Sequence, residues 1–144
     1  MNAATEEVVT QDIVQVSGER FRELMQLLPV ALYTTDLSGY VTSFNPAALE
    51  LWGREPILHK DRWCGSWKLF LLDGTSLPLD QSPMAITLQE RRVVPGQEII
   101  VEQPAGSRRH VIPYPQLIFD SSGAITGAFS MLIDITPLKN SEHT

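Results

Sequence analysis

Apolar residues recur at helical spacing at Val9, Ile13 and Val16 and, after a break at Ser17-Gly18, again at Phe21, Leu24, Met25 and Leu28. Pro29 ends the pattern. Ser17 suits an N-cap for the second piece, whose other face carries Glu19, Arg22, Glu23 and Gln26. The spacing therefore predicts an amphipathic helix, either docked on its own domain or used for dimerisation. From residue 30 the period changes to two. Residues 30–35 are β-branched and aromatic, Asp36-Leu37-Ser38-Gly39 has turn chemistry, and residues 40–44 alternate, which together predict a hairpin. Asn45-Pro46 then supplies a cap and a proline at the first helical position. The short helix that follows runs through Ala47, Ala48, Leu49, Leu51 and Trp52 and stops at Gly53.

Between residues 54 and 95 the periodicity is weak. Trp63-Cys64-Gly65-Ser66-Trp67 leads into residues 68–72, an Asp73-Gly74 turn, and the apolar Leu77 and Leu79. Ser82-Pro83 opens a helix through Met84, Ile86, Thr87 and Leu88 that ends near Arg91. Strands are predicted over 97–103, 108–119 and 124–133, joined by turns at Pro104-Ala105-Gly106-Ser107 and Asp120-Ser121-Ser122-Gly123. The last strand carries Ile125, Phe129, Met131 and Ile133 on one face and Ala128, Ser130 and Leu132 on the other. Neither face is polar, so the sheet must be covered on both sides, and the small helices can cover only one. The N-terminal helix is the natural second cover, shared with another protomer. Asp134-Ile135-Thr136-Pro137 then opens a helix that has only residues 138–144 in which to continue. One or two turns do not stand alone in water, so the sequence reads as a fragment of a longer chain.

With 144 residues, 43% of them hydrophobic, the chain has the size and mix of one globular domain. Seventeen acidic against eleven basic residues give a net charge of −6, the wrong sign for a nucleic-acid partner. The doublets Arg91-Arg92 and Arg108-Arg109 read as solvated charges. Cys64 is the only cysteine, which excludes an intrachain disulfide and points to a reducing cytoplasm. The N-terminus lacks the features of a signal peptide, and the uncharged run 121–133 is too short to span a bilayer. No membrane contact is expected of this piece.

The order strand, strand, short helices, three strands resembles the PAS sensory domain from Phe21 to Thr136. The resemblance is carried by Leu28-Pro29 through Thr35-Asp36 and Gly39, Asn45-Pro46-Ala47-Ala48 with Leu51-Trp52-Gly53, the Asp120 to Gly123 turn, Gly127, and Asp134-Ile135-Thr136. Trp63-Cys64-Gly65-Ser66-Trp67, Asp73-Gly74, Pro83-Met84-Ala85 and Pro113-Tyr114-Pro115 look like a subgroup common in bacterial sensor proteins. The resemblance implies an α+β fold: a five-stranded antiparallel sheet with short helices on one face and an N-terminal amphipathic helix. Residues 1–17 would be a partly helical flanking segment, 18–136 the domain, and 137–144 the start of a linker helix. It further implies a core pocket for a small ligand and a signal passed through the final strand into an effector. That effector would be a histidine kinase, a cyclase or a transcription regulator. Asp134, Ile135 and Thr136 would be the handover from strand to helix, where a helix start fused to a strand transmits small shifts.

By comparison with the family, the pocket would be lined by Trp63, Cys64, Trp67, Met84, Leu88, Val111, Pro113, Pro115, Ser130 and Leu132. A slip of one residue would exchange the faces of the last strands. Each of these positions equally suits plain hydrophobic core. Flavin light sensors of the family form an adduct on a cysteine in an Asn-Cys-Arg setting, whereas Cys64 lies between Trp63 and Gly65. Haem-binding members place a histidine on the helix at residues 82–90, which here has none; His59 falls in a loop and His110 on a strand. Neither a flavin adduct nor a haem is therefore expected, and the ligand is left unidentified. His59, Asp61 and Cys64 lack the regular spacing of a zinc site. Cys64 with His59 lacks the third member of a nucleophilic set, Ser66 has no elbow motif, and no glycine-rich phosphate loop occurs. The expectation is a non-enzymatic cytoplasmic sensor, part of a homodimer through the N-terminal helix and the sheet. The alternative is a ligandless dimerisation or protein-interaction module.

Overall fold

One buried asparagine ties together the first three elements of this chain, for which a computed structural model describes residues 30–94 and 96–138. The carboxamide oxygen of Asn45 accepts from the backbone N–H of Leu32 at 3.0 Å and from that of Ala48 at 3.0 Å, while its nitrogen donates to Val30 O at 2.7 Å. The first contact reaches strand β1 (Ala31–Asp36), and the second caps helix α1 (Pro46–Trp52). Strand β2 (Val41–Phe44) runs between them. The β1–β2 turn is closed by Asp36, whose carboxylate accepts from the N–H groups of Ser38 and Tyr40, both at 3.0 Å. Helix α1 ends as its sequence requires, at Gly53 in the left-handed region with φ 68°. The Gln103 side chain donates to the carbonyls of Glu50 and Leu51, two of the groups that the helix end leaves open.

Strands β3 (Lys68–Phe70) and β4 (Ser76–Leu77) form a small hairpin around the Asp73-Gly74 turn, and a 3₁₀ turn (Leu79–Gln81) leads into helix α2 (Pro83–Glu90). Ser82 caps α2 by accepting from Ala85 N. Strands β5 (Ile99–Glu102), β6 (Arg108–Phe119) and β7 (Ile125–Asp134) complete one antiparallel sheet in the order β2-β1-β7-β6-β5-β3-β4. Seven strands stand where five were expected. The two extra ones are only three and two residues long, too short for an alternation to register in the sequence.

Strand β7 pairs with β1 along one edge and with β6 along the other, so both of its edges are used. Pro113 lies opposite Leu132, Pro115 opposite Ser130, and Tyr33 opposite Ser130. These residues face inward with Val111, Ala128, Ile99 and Val101, and α1 and α2 close over them. The expected inward face of the last strands is the one observed. Trp52 of α1 sits at the centre, fully buried, edge-on to Tyr33 at 5.2 Å and to Phe44 at 6.1 Å between ring centroids. Gly127, inside β7, is a glycine for a steric reason: a Cβ there would collide with the carbonyl oxygen of Thr35 on β1. On the outer face, Tyr114 is 43% exposed and Met131 40% exposed. The predicted N-terminal helix and residues 139–144 lie outside the described residues. Residues 136–138 begin a helical turn after β7.

Replacing Asn45 by Ala removes a cap and strands the buried N–H of Leu32 and the carbonyl of Val30, so Asn45→Ala is expected to cost about 2–4 kcal/mol of folding free energy. Urea denaturation measures it; a loss indistinguishable from zero would show that water replaces the carboxamide.

Candidate functional site

Among the described residues, the inner faces of β1, β5, β6 and β7 and the start of α2 surround a small space in the core. Its walls include Tyr33, Trp52, Cys64, Met84, Pro113, Ser130 and Leu132. Its volume is about 20 Å³, room for about one water molecule. The side chains around it are adjusted to burial. Burial pushes the Tyr33 hydroxyl well above its ordinary pKa, and the neighbouring Cys64 adds to the shift. Burial also pushes the Cys64 thiol up, against the opposing pull of hydrogen bonding with Ser66. Tyr33 donates its hydroxyl to the Trp63 carbonyl at 2.8 Å. Among the described residues the indole N–H of Trp52 and the hydroxyl of Thr87, both wholly buried, have no partner.

A family profile described as PAS domain matches residues 19–82. This chain contains a PAS domain. Solved structures similar to it include the PAS domain of Bordetella pertussis BvgS, at 25% identity over 87% of this chain and 93% of that one, with a TM-score of 0.55. A domain of a sensory box sensor histidine kinase/response regulator from Geobacter sulfurreducens shares 17% identity over 84% and 96% of the two chains, with a TM-score of 0.57. The PAS domain of the fruit-fly ELK potassium channel, at 12% identity, covers 82% and 96% with a TM-score of 0.63. No curated protein matches the sequence significantly.

Of the ten positions assigned to the pocket of this PAS domain, Cys64, Met84, Pro113, Ser130 and Leu132 meet around the enclosed space. Val111, Pro115 and Leu88 are buried in the surrounding core. Trp63 is only partly buried, and its ring lies between Gly39 and the Arg62 guanidinium, which sits 4.3 Å from the ring centroid. Trp67 departs furthest from its assignment. It stands just before β3, 42% exposed, with the Lys68 ammonium 4.4 Å from its ring. The walls that sequence reasoning missed, Tyr33 and Trp52 above all, are inward residues of β1 and α1 whose convergence depends on the sheet order.

The end of β7 is fastened to β6 by backbone and side chain. Ile135 N donates to His110 O at 2.8 Å, His110 N donates to the Thr136 hydroxyl at 2.8 Å, and Thr136 N donates to the Asp134 carboxylate at 2.9 Å. Arg109 stands 3.6 Å from the other Asp134 oxygen, and the His110 ring meets Glu98 at 2.9 Å. Asp134, Ile135 and Thr136 thus form one bonded unit with β6, an arrangement in which sequence reasoning assigned His110 no part.

An open groove of about 290 Å³ lies beside this unit, between Val30, Ala47 and Glu50 on one side and Arg109, Ile133 and Asp134 on the other. Asp61, once grouped with His59 and Cys64, is held by Arg54 at 3.1 Å and by the N–H of Ile57 at 2.6 Å. Among the described residues no three His, Cys, Asp or Glu side chains come together as a metal site, and no helix is long and apolar enough to cross a membrane.

The buried, raised-pKa thiol of Cys64 should react with Ellman's reagent at pH 8 at least about a hundredfold more slowly in the native protein than in urea, because reaction must wait for opening of the core. Equal rates in the two states would place Cys64 at the surface.

Proposed function

We propose that this PAS domain is a sensory signalling module that works through protein contacts on the outer face of its sheet and passes their effect along β7 to residues 134–136. The observation that carries this reading is the fastening of Ile135 and Thr136 to His110. A shift of β7 together with β6 therefore moves the first turn of the following helix with it. The outer face supplies the contact surface. Tyr114 and Met131 lie opposite each other across the β6–β7 pair, with Ile112 opposite Ile133 beside them. A sheet face of this composition buries itself against an apolar partner, and the partner proposed here is a second copy, joined with the segment 18–28 whose sequence predicts an amphipathic helix. On this reading residues 1–17 flank the domain, 18–136 form it, and 137–144 begin a linker to an effector, which would be a histidine kinase, a cyclase or a transcription regulator. The domain itself catalyses nothing, and its place is the cytoplasm.

A second reading, a small ligand held in the core, is favoured by one observation. The unpartnered indole N–H of Trp52, a wall of the core space, is a polar group that a ligand or water could satisfy. Such a ligand would have to expand a space of about 20 Å³ by displacing Met84 or its neighbours.

Light scattering and mass spectrometry separate the two. The purified chain should be a dimer, and Met131→Arg or Tyr114→Arg should convert it to a monomer with an unchanged circular-dichroism spectrum, since both side chains are exposed. A wild-type monomer at high micromolar concentration, or a dimer indifferent to both changes, would remove the outer face from the mechanism. An additional noncovalent mass in native spectra that is lost on denaturation would favour the ligand reading instead.

A further inference from the structure

On the helical side of the domain, away from the sheet face, a cleft of about 270 Å³ opens between the β1–β2 turn, the Arg62-Trp63 loop and the end of α2. Two of the described residues that adopt a left-handed backbone without being glycine line it: Trp63 with φ 75° and Arg91 with φ 56°. Such conformations are costly outside glycine and persist where surrounding contacts fix them. At Trp63 the contacts are visible. Its N–H donates to Gly39 O, its carbonyl accepts the Tyr33 hydroxyl, and its ring has no room to move toward Gly39. Arg62 lies over that ring and donates its Nε–H to Ser38 O at 2.7 Å, and its guanidinium is also 5.2 Å from the Tyr40 ring centroid.

Charge distinguishes this cleft from the rest of an acidic chain. The neighbouring carboxylates are already engaged: Asp36 by the turn N–H groups, Asp61 by Arg54, and Glu90 by Arg92. Among the described residues, neither the Arg62 nor the Arg91 guanidinium has a carboxylate partner. Leu37 and Leu88 supply an apolar wall and Gln89 a polar rim. We propose that this cleft binds a small organic carboxylate with an apolar body, the anion meeting Arg62 and Arg91 and the body lying against Trp63 and Leu88. A guanidinium offers a carboxylate a planar pair of donors, and an aromatic ring beside it shelters the pair from water. The site is separate from the enclosed core space and from the sheet face, so it stands or falls independently of the signalling mechanism proposed above. Its route inward is short, because Leu88 also belongs to the core and the Trp63 carbonyl holds Tyr33.

The probe is benzoate, titrated into the ¹⁵N-labelled full chain and followed by nuclear magnetic resonance. Benzoate should saturably shift the Trp63 indole N–H and the amides of Ser38 and Gln89, while benzyl alcohol, of the same shape without the charge, should not. Arg91→Gln should weaken benzoate at least about tenfold, as loss of a charged hydrogen bond does, and Arg91→Lys should recover part of it. Arg91 is exposed at the end of α2, so neither change endangers the fold. Absence of a saturable shift, an equal response to benzyl alcohol, shifts centred on the core residue Ser130, or an unchanged affinity in Arg91→Gln would each overturn the proposal.

Discussion

The rest of the fold depends on β7 having both of its edges and one of its faces committed at once. Hydrogen-bonded to β1 on one side and β6 on the other, it has no register to spare. A slip of one residue would turn Ala128, Ser130 and Leu132 outward and put Phe129 and Met131 under the helices. It would also bring a side chain where only Gly127 tolerates the Thr35 carbonyl. The constraint explains why the two prolines of β6 are harmless. Pro113 and Pro115 face inward opposite Leu132 and Ser130, and the strand is held by its remaining residues over a length of twelve. It also explains why the end of β7 can carry a signal, since a strand bonded along both edges moves with its neighbours.

Local chemistry was legible wherever one residue type does one job. Asn45-Pro46 and Ser82-Pro83 opened helices, Gly53 closed one, and the Asp36 and Asp120 turns joined strands, because caps and turns are decided by a few adjacent residues. The two faces of β7 were separable by period two, but both are apolar, so which one points inward came from the resemblance to the family and not from the pattern. Three things were not legible. The hairpin of β3 and β4 is too short for periodicity. Trp67 looked like a pocket residue by its type, yet its exposure depends on where the chain turns before β3. The convergence of Tyr33 and Trp52 on the core space follows from β1 lying beside β7, a non-local pairing that no window of sequence contains. His110 was passed over because its function at the exit is carried mostly by its backbone, and backbone has no sequence signature.

The core and the surface of this PAS domain make opposite statements about where a stimulus could enter. Inside, Trp52, Tyr33 and their neighbours close the space to about the size of one water, and a packed interior of this kind resists enlargement because every displaced side chain needs somewhere to go. Outside, the Arg62-Trp63 cleft is already open and already charged. The two are joined by packing through Leu88 and by a hydrogen bond from the Tyr33 hydroxyl to the Trp63 carbonyl, and Tyr33 sits opposite Ser130 on β7. A displacement of Trp63 therefore has a bonded path to the strand whose end is fixed to the outgoing helix, and it need not open the core to use it. Because burial keeps the Tyr33 hydroxyl protonated well beyond neutral pH, that link is a donor throughout the physiological range, and only movement of its partner can break it.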